Sequence, residues 1–137
     1  MATYAFGAAY GGTDDKTRAF VNSGSAFIGW DPHDAPFLHA MLRQIEIGDL
    51  VFLKSAAPSV GLMVKAAGVV TDNTIRQDPD LGFGVAVDWA FTGEAGGGQN
   101  RLIGKLNDKA DFMRGGTLYR EFNPLVLRVV IDLIRGR

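Results

Sequence analysis

Three strand-like segments follow one another between residues 50 and 91, with no helical pattern between them. Residues 50–53 form an apolar run after a Gly48-Asp49 turn, which is typical of a strand in the middle of a sheet. Residues 61–70 form a second long strand, and residues 83–91 alternate between apolar and other positions. Because no crossover helix separates these strands, the pattern predicts an α+β protein with a curled or closed sheet.

Two segments carry the spacing of an amphipathic helix. Between residues 37 and 45 the apolar side chains recur every three or four positions, which predicts one buried face. Residues 125–134 repeat this spacing. Asn123 is placed to cap that final helix, and Pro124 suits its first position.

A shorter helix is predicted after residue 13. Thr13 is a candidate cap, Asp14 and Asp15 would lie in the first turn, where the helix dipole favours acids, and Gly24 would end the helix. Elsewhere the chain predicts strands at residues 5–10, 26–30 and 117–122, a polar connection at 71–81 and a flexible glycine-rich loop at 93–100.

The composition fits one globular domain spanning residues 1–137. Hydrophobic residues make up 47% of the chain and charged residues 21%, so a core of normal size can form. The absence of cysteine excludes disulfides and thiol chemistry and fits a cytoplasmic protein. No apolar run approaches the roughly 18 residues that span a bilayer, and no signal-peptide pattern begins the chain, so we expect no membrane partner.

The charge is unevenly distributed. The net charge of −1 argues against a strong, non-specific polyanion binder. Residues 1–100 carry 6 Lys/Arg and 11 Asp/Glu, whereas residues 101–137 carry 8 Lys/Arg and 4 Asp/Glu. The basic final third is either a solvated helix face or a surface for phosphates, for which the candidates are Lys105, Lys109, Arg114 and Arg120.

The order of several short motifs resembles the PUA-like superfamily. Gly29-Trp30 follows the first predicted helix, Gly48-Asp49 opens an apolar strand, and residues 65–70 and 85–89 continue the match. Residues 116–119 and the helix that follows them are similar to the ending of such modules. Within the superfamily the pattern of residues 4–134 is most similar to the EVE domain, and related modules stand at the front of modification-dependent restriction systems.

The resemblance implies a small mixed β-barrel flanked by helices, with a pocket that reads a modified base flipped out of DNA or RNA. The side chains expected to bind such a ligand are Trp30, Gly29, Phe27, Lys54, Ser55 and Trp89. In the family the strand that opens with Gly-Asp often ends in Tyr-His-Ser, whereas here it ends in Leu53-Lys54-Ser55.

These candidates also have purely structural explanations. An indole at a pocket mouth stacks on a base with about 1–3 kcal/mol, but Trp30 equally fits a core in which its N–H meets a carbonyl. Phe27 and Trp89 fit core packing as well. Lys54 and Ser55 end a central strand, where they either read a base edge or form an exposed strand end.

Two other functions remain open at this point. The ASCH branch of the superfamily includes small amidohydrolases that use Lys, Thr and Glu on acylated nucleosides, and Lys54 or Lys65 with Glu46 would suit such chemistry if the lysine were desolvated. Alternatively, the chain is a protein-interaction subunit that forms a homodimer through its final helix. Lys65 is expected on the outer face of its strand, because an inward lysine needs a partner.

We expect neither a metal nor a cofactor. His33 and His39 lie six residues apart. Two histidines are too few ligands for a metal site, so surface or capping roles are expected. No serine has the Gly-x-Ser-x-Gly context of a hydrolase nucleophile, and no segment has the three glycines of a dinucleotide-binding fingerprint.

Overall fold

The three predicted strands form the middle of a seven-stranded sheet in the computed structural model, which describes residues 1–137. The nine strands of the chain are β1 (Thr3–Gly7), β2 (Ala9–Tyr10), β3 (Asp14–Asp15), β4 (Ser25–Ile28), β5 (Leu50–Ala57), β6 (Gly61–Asp78), β7 (Gly82–Phe91), β8 (Arg101–Gly104) and β9 (Leu118–Arg120). The three α-helices are α1 (Thr17–Ser23), α2 (Pro36–Gln44) and α3 (Pro124–Ile134), and short 3-10 helices cover Gly93–Gly96 and Asp111–Gly115.

The sheet is mixed, with the order β4-β7-β6-β5-β1-β9, while β8 pairs with β6 and β2 pairs with β3 in a separate hairpin. The β1–β5 pair is parallel, and the other pairs are antiparallel. Parallel strands need a long crossover connection. Here α1, β4 and α2 together form it.

Both faces of the sheet are covered. On one face Val51 and Leu53 of β5 pack into a core that includes Phe20 of α1 and Leu42 of α2. On the other face Phe52 packs into a second core with side chains of α3. Burial on both sides explains why β5 reads as a continuous apolar run rather than an alternating one.

The curled sheet forms a half-barrel, so the α+β prediction is confirmed. The helix predicted over residues 125–134 is α3, and the Asn123 side chain caps it by accepting a hydrogen bond from the Leu125 N–H. No helix of the chain is both long and apolar enough to cross a membrane.

Two predictions of local structure were wrong. Residues 71–78 are not a connection, because β6 continues to Asp78 as an exposed, polar strand that pairs with β7. Asn73 and Arg76 also donate side-chain hydrogen bonds to residues 45 and 25. Because these β6 residues are exposed and polar, no apolar pattern reveals the strand. Asp14 and Asp15 form β3 rather than a first helical turn, and α1 begins at Thr17, whose N–H and hydroxyl both donate to the Asp15 carboxylate.

Arg114 is buried in an ion cluster rather than exposed on the basic surface. Its residue is 1% exposed, and its guanidinium donates two hydrogen bonds each to Asp108 and Glu121. Glu121 also accepts from the backbone N–H groups of residues 122 and 123. The cluster joins the loop before β9 to the start of α3.

Removing the cation from this cluster should destabilise the fold. We expect Arg114→Ala to lower the free energy of unfolding by about 3–5 kcal/mol, because the Glu121 carboxylate would remain buried without its partner. Urea denaturation measures the loss. The exposed neighbour Lys109 provides the control, and Lys109→Ala should change stability by less than about 0.5 kcal/mol. Equal stabilities of the two variants would contradict the structural role given to Arg114.

Candidate functional site

The parallel pairing of β1 with β5 places the end of β1 beside the second half of β5. Gly7, the last residue of β1, is the register partner of Lys54. The Gly7 N–H donates to the carbonyl of Thr117, which immediately precedes β9, at 2.8 Å. The end of β1, the Lys54 region of β5 and the start of β9 therefore meet at one rim of the half-barrel. Because β5 continues to Ala57, Lys54 and Ser55 lie within the strand, and the prediction that they end it was wrong.

Trp30 connects this rim to the opposite edge of the sheet. The edge strands of the half-barrel are β4 and β9. Trp30 follows β4, and its indole N–H donates to the Thr117 hydroxyl, which precedes β9, at 3.1 Å. The indole is nevertheless 52% exposed. Trp30 thus spans the seam between the two edges and keeps much of its ring open to solvent.

A buried histidine fixes the backbone of Trp30. His39 of α2 is buried, its ring meets Phe83 edge-on at a centroid distance of 5.0 Å, and its Nε2 lies 2.7 Å from the Trp30 carbonyl oxygen. Because a carbonyl accepts only, Nε2 must carry the proton and donate it. The expectation of a surface or capping role for His39 is corrected: it is a core residue that positions Trp30.

Tyr10 forms the second aromatic wall beside Trp30. A Cβ added to Gly29 would lie 2.9 Å from the Tyr10 ring, so the absence of a side chain at Gly29 is what admits this ring. The Tyr10 hydroxyl donates to the Leu81 carbonyl, and its ring contacts Phe20 edge-on. The Tyr10 ring is therefore fixed from three sides.

These residues enclose a cavity of about 560 Å³, which we name the Trp30 cavity. Its volume lies within the range of about 300–1,000 Å³ that is typical of small-molecule sites. Its lining combines two aromatic residues with many glycines and consists of Gly7, Ala9, Tyr10, Gly11, Gly12, Gly29, Trp30, Gly115 and Thr117.

A second cavity of about 310 Å³, the Lys54 cavity, adjoins the first. The two share five lining residues, Gly7, Ala9, Gly12, Gly115 and Thr117, and the second adds Lys54, Ser55, Ala56, Lys65 and Gly116. The lining includes two lysines and no carboxylate. The cavity that adjoins the Trp30 cavity is therefore lined by positive charge.

Lys54 is buried in this cavity without a counter-ion. The residue is 7% exposed, and none of the ion pairs of the chain includes it. Its Nζ lies 5.7 Å from the centre of the Tyr119 ring, so an aromatic face is its nearest electrostatic support. Burial, and secondly the charge of Lys65, lowers the pKa of Lys54 to about 8.

Lys65 faces the same cavity because of a β-bulge. In the β5–β6 ladder Leu53 pairs with Ala66 and Lys54 pairs with Val64, which leaves Lys65 as the extra residue. A bulge redirects a side chain at the point where it occurs. The Lys65 ammonium turns towards the interior and forms a 2.8 Å ion pair with Asp15. The outer-face prediction is therefore wrong, and Lys65 has the partner that an inward lysine requires.

Four of the six predicted ligand-binding residues line one of the two cavities, and the other two do not. Gly29 and Trp30 line the Trp30 cavity, and Lys54 and Ser55 line the adjoining one.

Phe27 and Trp89 lie elsewhere, which corrects their assignment. Phe27 is buried in the core on the α1 side of the sheet, and the half-buried Trp89 packs against the same core. The Trp89 indole N–H donates to the Phe20 carbonyl at 3.2 Å, which is the structural role that a buried indole commonly has.

The predicted phosphate contacts do not form one surface. Lys105 is exposed and lines a third cavity, the Lys105 cavity, which shares Ala56 and Gly115 with the Lys54 cavity. Lys109 is exposed. Arg114 is buried against carboxylates and is corrected to a structural residue, and Arg120 lines a separate cavity, where its guanidinium stacks on Phe122.

Glu46 lines the same cavity as Arg120 and therefore does not lie beside Lys54. Glu46 lies beside Asp49 and Arg120, and this cavity shares no lining residue with the Lys54 cavity. The Lys–Glu arrangement considered for an amidohydrolase is not assembled here.

Sequence reasoning missed Tyr10, Thr117 and Gly7 as site residues. The one available signal was the segment Gly7-Ala-Ala-Tyr-Gly-Gly12, in which glycines surround an aromatic residue. Thr117 carries no local signal, because its importance comes from a hydrogen bond to a residue 87 positions away.

Comparison with known proteins does not identify the chain. No protein-family model matches it. No curated protein matches it significantly either. Function is therefore inferred from the geometry of the cavities.

The anchoring of Trp30 by His39 is testable. We expect His39→Leu to lower the free energy of unfolding by about 1–3 kcal/mol, because the Trp30 carbonyl loses its donor. In a Trp89→Phe background, emission reports Trp30 alone, and His39→Leu should increase its quenching by acrylamide. His33→Ala is the control, since His33 is exposed. An unchanged stability and unchanged quenching would refute the anchoring role.

The uncompensated charge of Lys54 predicts an unusual dependence of stability on pH. The folded pKa of about 8 lies below the unfolded value of about 10.4. Between these values the unfolded chain binds more protons, so the free energy of unfolding should rise with pH across this window. Below about pH 8 the penalty is fully present and amounts to roughly 3 kcal/mol.

Lys54→Met should therefore be more stable than the wild type at pH 7, by about 1–3 kcal/mol, with an advantage that shrinks towards pH 10.5. Urea titrations at several pH values measure the difference, and Lys105→Met, at an exposed lysine, should show no such trend. A difference that stays constant from pH 7 to pH 10.5 would contradict the lowered pKa.

Proposed function

We propose that this chain is a nucleic-acid-binding module of the EVE-like kind, which holds a flipped or unpaired modified base in the Trp30 cavity. The proposal rests on one observation: Trp30 is half exposed at a cavity mouth although its N–H and its carbonyl are both fixed by hydrogen bonds. A rigid, open indole loses little conformational entropy when a flat ligand stacks on it.

The walls of the Trp30 cavity suit a flat heterocycle. Tyr10 and Trp30 provide aromatic surface, and Thr117 contributes a hydroxyl beside the indole. The many glycines of the lining allow the backbone to approach the ligand closely. Base–aromatic stacking contributes about 1–3 kcal/mol. This offsets much of the few kcal/mol needed to extract a base from a duplex.

The neighbouring cavities offer a path for the strand that carries the base. From the Trp30 cavity the groove continues through the Lys54 cavity to the Lys105 cavity, since adjacent cavities share Thr117, Gly115 and Ala56. Lysines therefore follow the aromatic walls along one direction. A few such contacts can hold phosphates even though the chain as a whole is slightly acidic.

Binding should depend on Trp30. We expect Trp30→Ala to weaken binding of a modified-base oligonucleotide by roughly five- to 150-fold, because the stacking surface is lost. Fluorescence anisotropy would compare labelled single-stranded and duplex DNA and RNA, each with and without a methylated base. Phe37→Ala is the matched control, since Phe37 is 87% exposed and lines none of the cavities.

Two results would reject the proposed function. The first is an equal, immeasurably weak affinity for all of these oligonucleotides. The second is measurable binding that Trp30→Ala and Phe37→Ala reduce to the same extent, since this would place the bound strand away from the Trp30 cavity.

A further inference from the structure

The two lysines of the Lys54 cavity differ in whether their charge is balanced and in how deeply they lie. Lys65 has its charge balanced by Asp15 at 2.8 Å, whereas Lys54 has no carboxylate partner. Lys54 is also the more deeply placed, at the floor beside Gly7, where its Nζ would lie 3.5 Å from an added Cβ. The cavity thus contains one positive charge that no group of the chain neutralises.

A buried, unpaired ammonium is costly, and such groups are normally paired or bound to a ligand. The other buried cation of the chain follows this rule, because Arg114 is bound by Asp108 and Glu121. Tyr119 gives Lys54 only the face of a ring, and the buried Tyr119 hydroxyl itself has no hydrogen-bond partner. An anion that entered the cavity would give Lys54 the counter-ion that the chain does not supply.

The remaining lining favours a compact anion with several acceptor oxygens. Ser55 and Thr117, whose side chains carry hydroxyl donors, also line the cavity, and no acidic side chain lines it to repel an anion. Gly115 and Gly116 add lining without side chains. Phosphate has three or four oxygens and forms charge-assisted hydrogen bonds with lysine and hydroxyl donors.

We propose that the Lys54 cavity is a phosphate subsite, in which the Lys54 ammonium, with Ser55 and Thr117 beside it, binds a phosphate group. This deepens the proposed function and rests on it for one detail: the phosphate belongs to the nucleotide whose base stacks on Trp30. Thr117 separates the two subsites and lines both of them. The shared wall allows one nucleotide to occupy the two cavities together.

The lysine side chains themselves provide the test. In protein labelled with ¹³C,¹⁵N-lysine, the Cε and Nζ resonances of Lys54 can be followed by NMR during titration with inorganic phosphate, a nucleoside, the nucleoside 5′-monophosphate and a single-stranded oligonucleotide. We expect phosphate, the monophosphate and the oligonucleotide to shift Lys54 saturably, with Lys105 little affected. The monophosphate should bind about tenfold more tightly than the nucleoside, and Lys54→Met should abolish that gain while Lys105→Met keeps it.

The outcomes separate the subsite from the proposed function. If none of the phosphate-bearing probes shifts Lys54 saturably, or if Lys105 shifts equally, the phosphate subsite is refuted. Quenching of Trp30 by the nucleoside, measured in the Trp89→Phe background, would then still support the base-binding function. Conversely, saturable shifts at Lys54 without any response of Trp30 to nucleoside or oligonucleotide would support the subsite and refute the base-binding function. Because Lys54→Met is expected to fold at least as stably as the wild type, loss of binding in this variant is not explained by unfolding.

Discussion

The parallel pairing of β1 with β5 is the constraint on which the site depends. It requires a crossover, and α1, β4 and α2 provide it, so the chain must return across one face of the sheet before β5 begins. The same pairing brings Gly7 beside Lys54 and, through the Gly7 N–H, beside Thr117. Trp30 then connects β4 to β9 across the seam. An antiparallel β1 would place Gly7 at the opposite end of β5 and leave no cavity there.

The two buried cations of the chain, Arg114 and Lys54, differ in whether carboxylates balance their charge. Arg114 is bound by Asp108 and Glu121, and this cluster ties the β9 loop to α3. Lys54 is desolvated without a carboxylate, which lowers its pKa and weakens the fold at neutral pH. Strain and unmet charge concentrate at functional sites, where a ligand supplies what the protein lacks. The contrast between these two residues is why we propose an anion site at the rim of the half-barrel rather than on the basic C-terminal region.

Much of the fold was readable from local patterns, while the site was readable only in part. The apolar run of β5, the alternation in β7 and the capped helix α3 each have a periodic signature, and the structure has all three. Trp30 and Lys54, both expected to bind the ligand, line two adjoining cavities that share Gly7 and Thr117. Phe27 and Trp89 were misassigned because aromatic residues in a strand look alike from the sequence, whether they face a cavity or a core.

The sequence by itself determined the α+β class and the order of the main elements, because these follow from periodicity and turn chemistry within short windows. Only the tertiary structure decided which groups meet. The Trp30–Thr117 and His39–Trp30 hydrogen bonds, the bulge that turns Lys65 inward and the lack of a partner for Lys54 all depend on strand register and sheet curvature. Register and curvature arise from pairing between distant segments, and no local pattern encodes which distant carboxylate or hydroxyl will lie beside a given side chain.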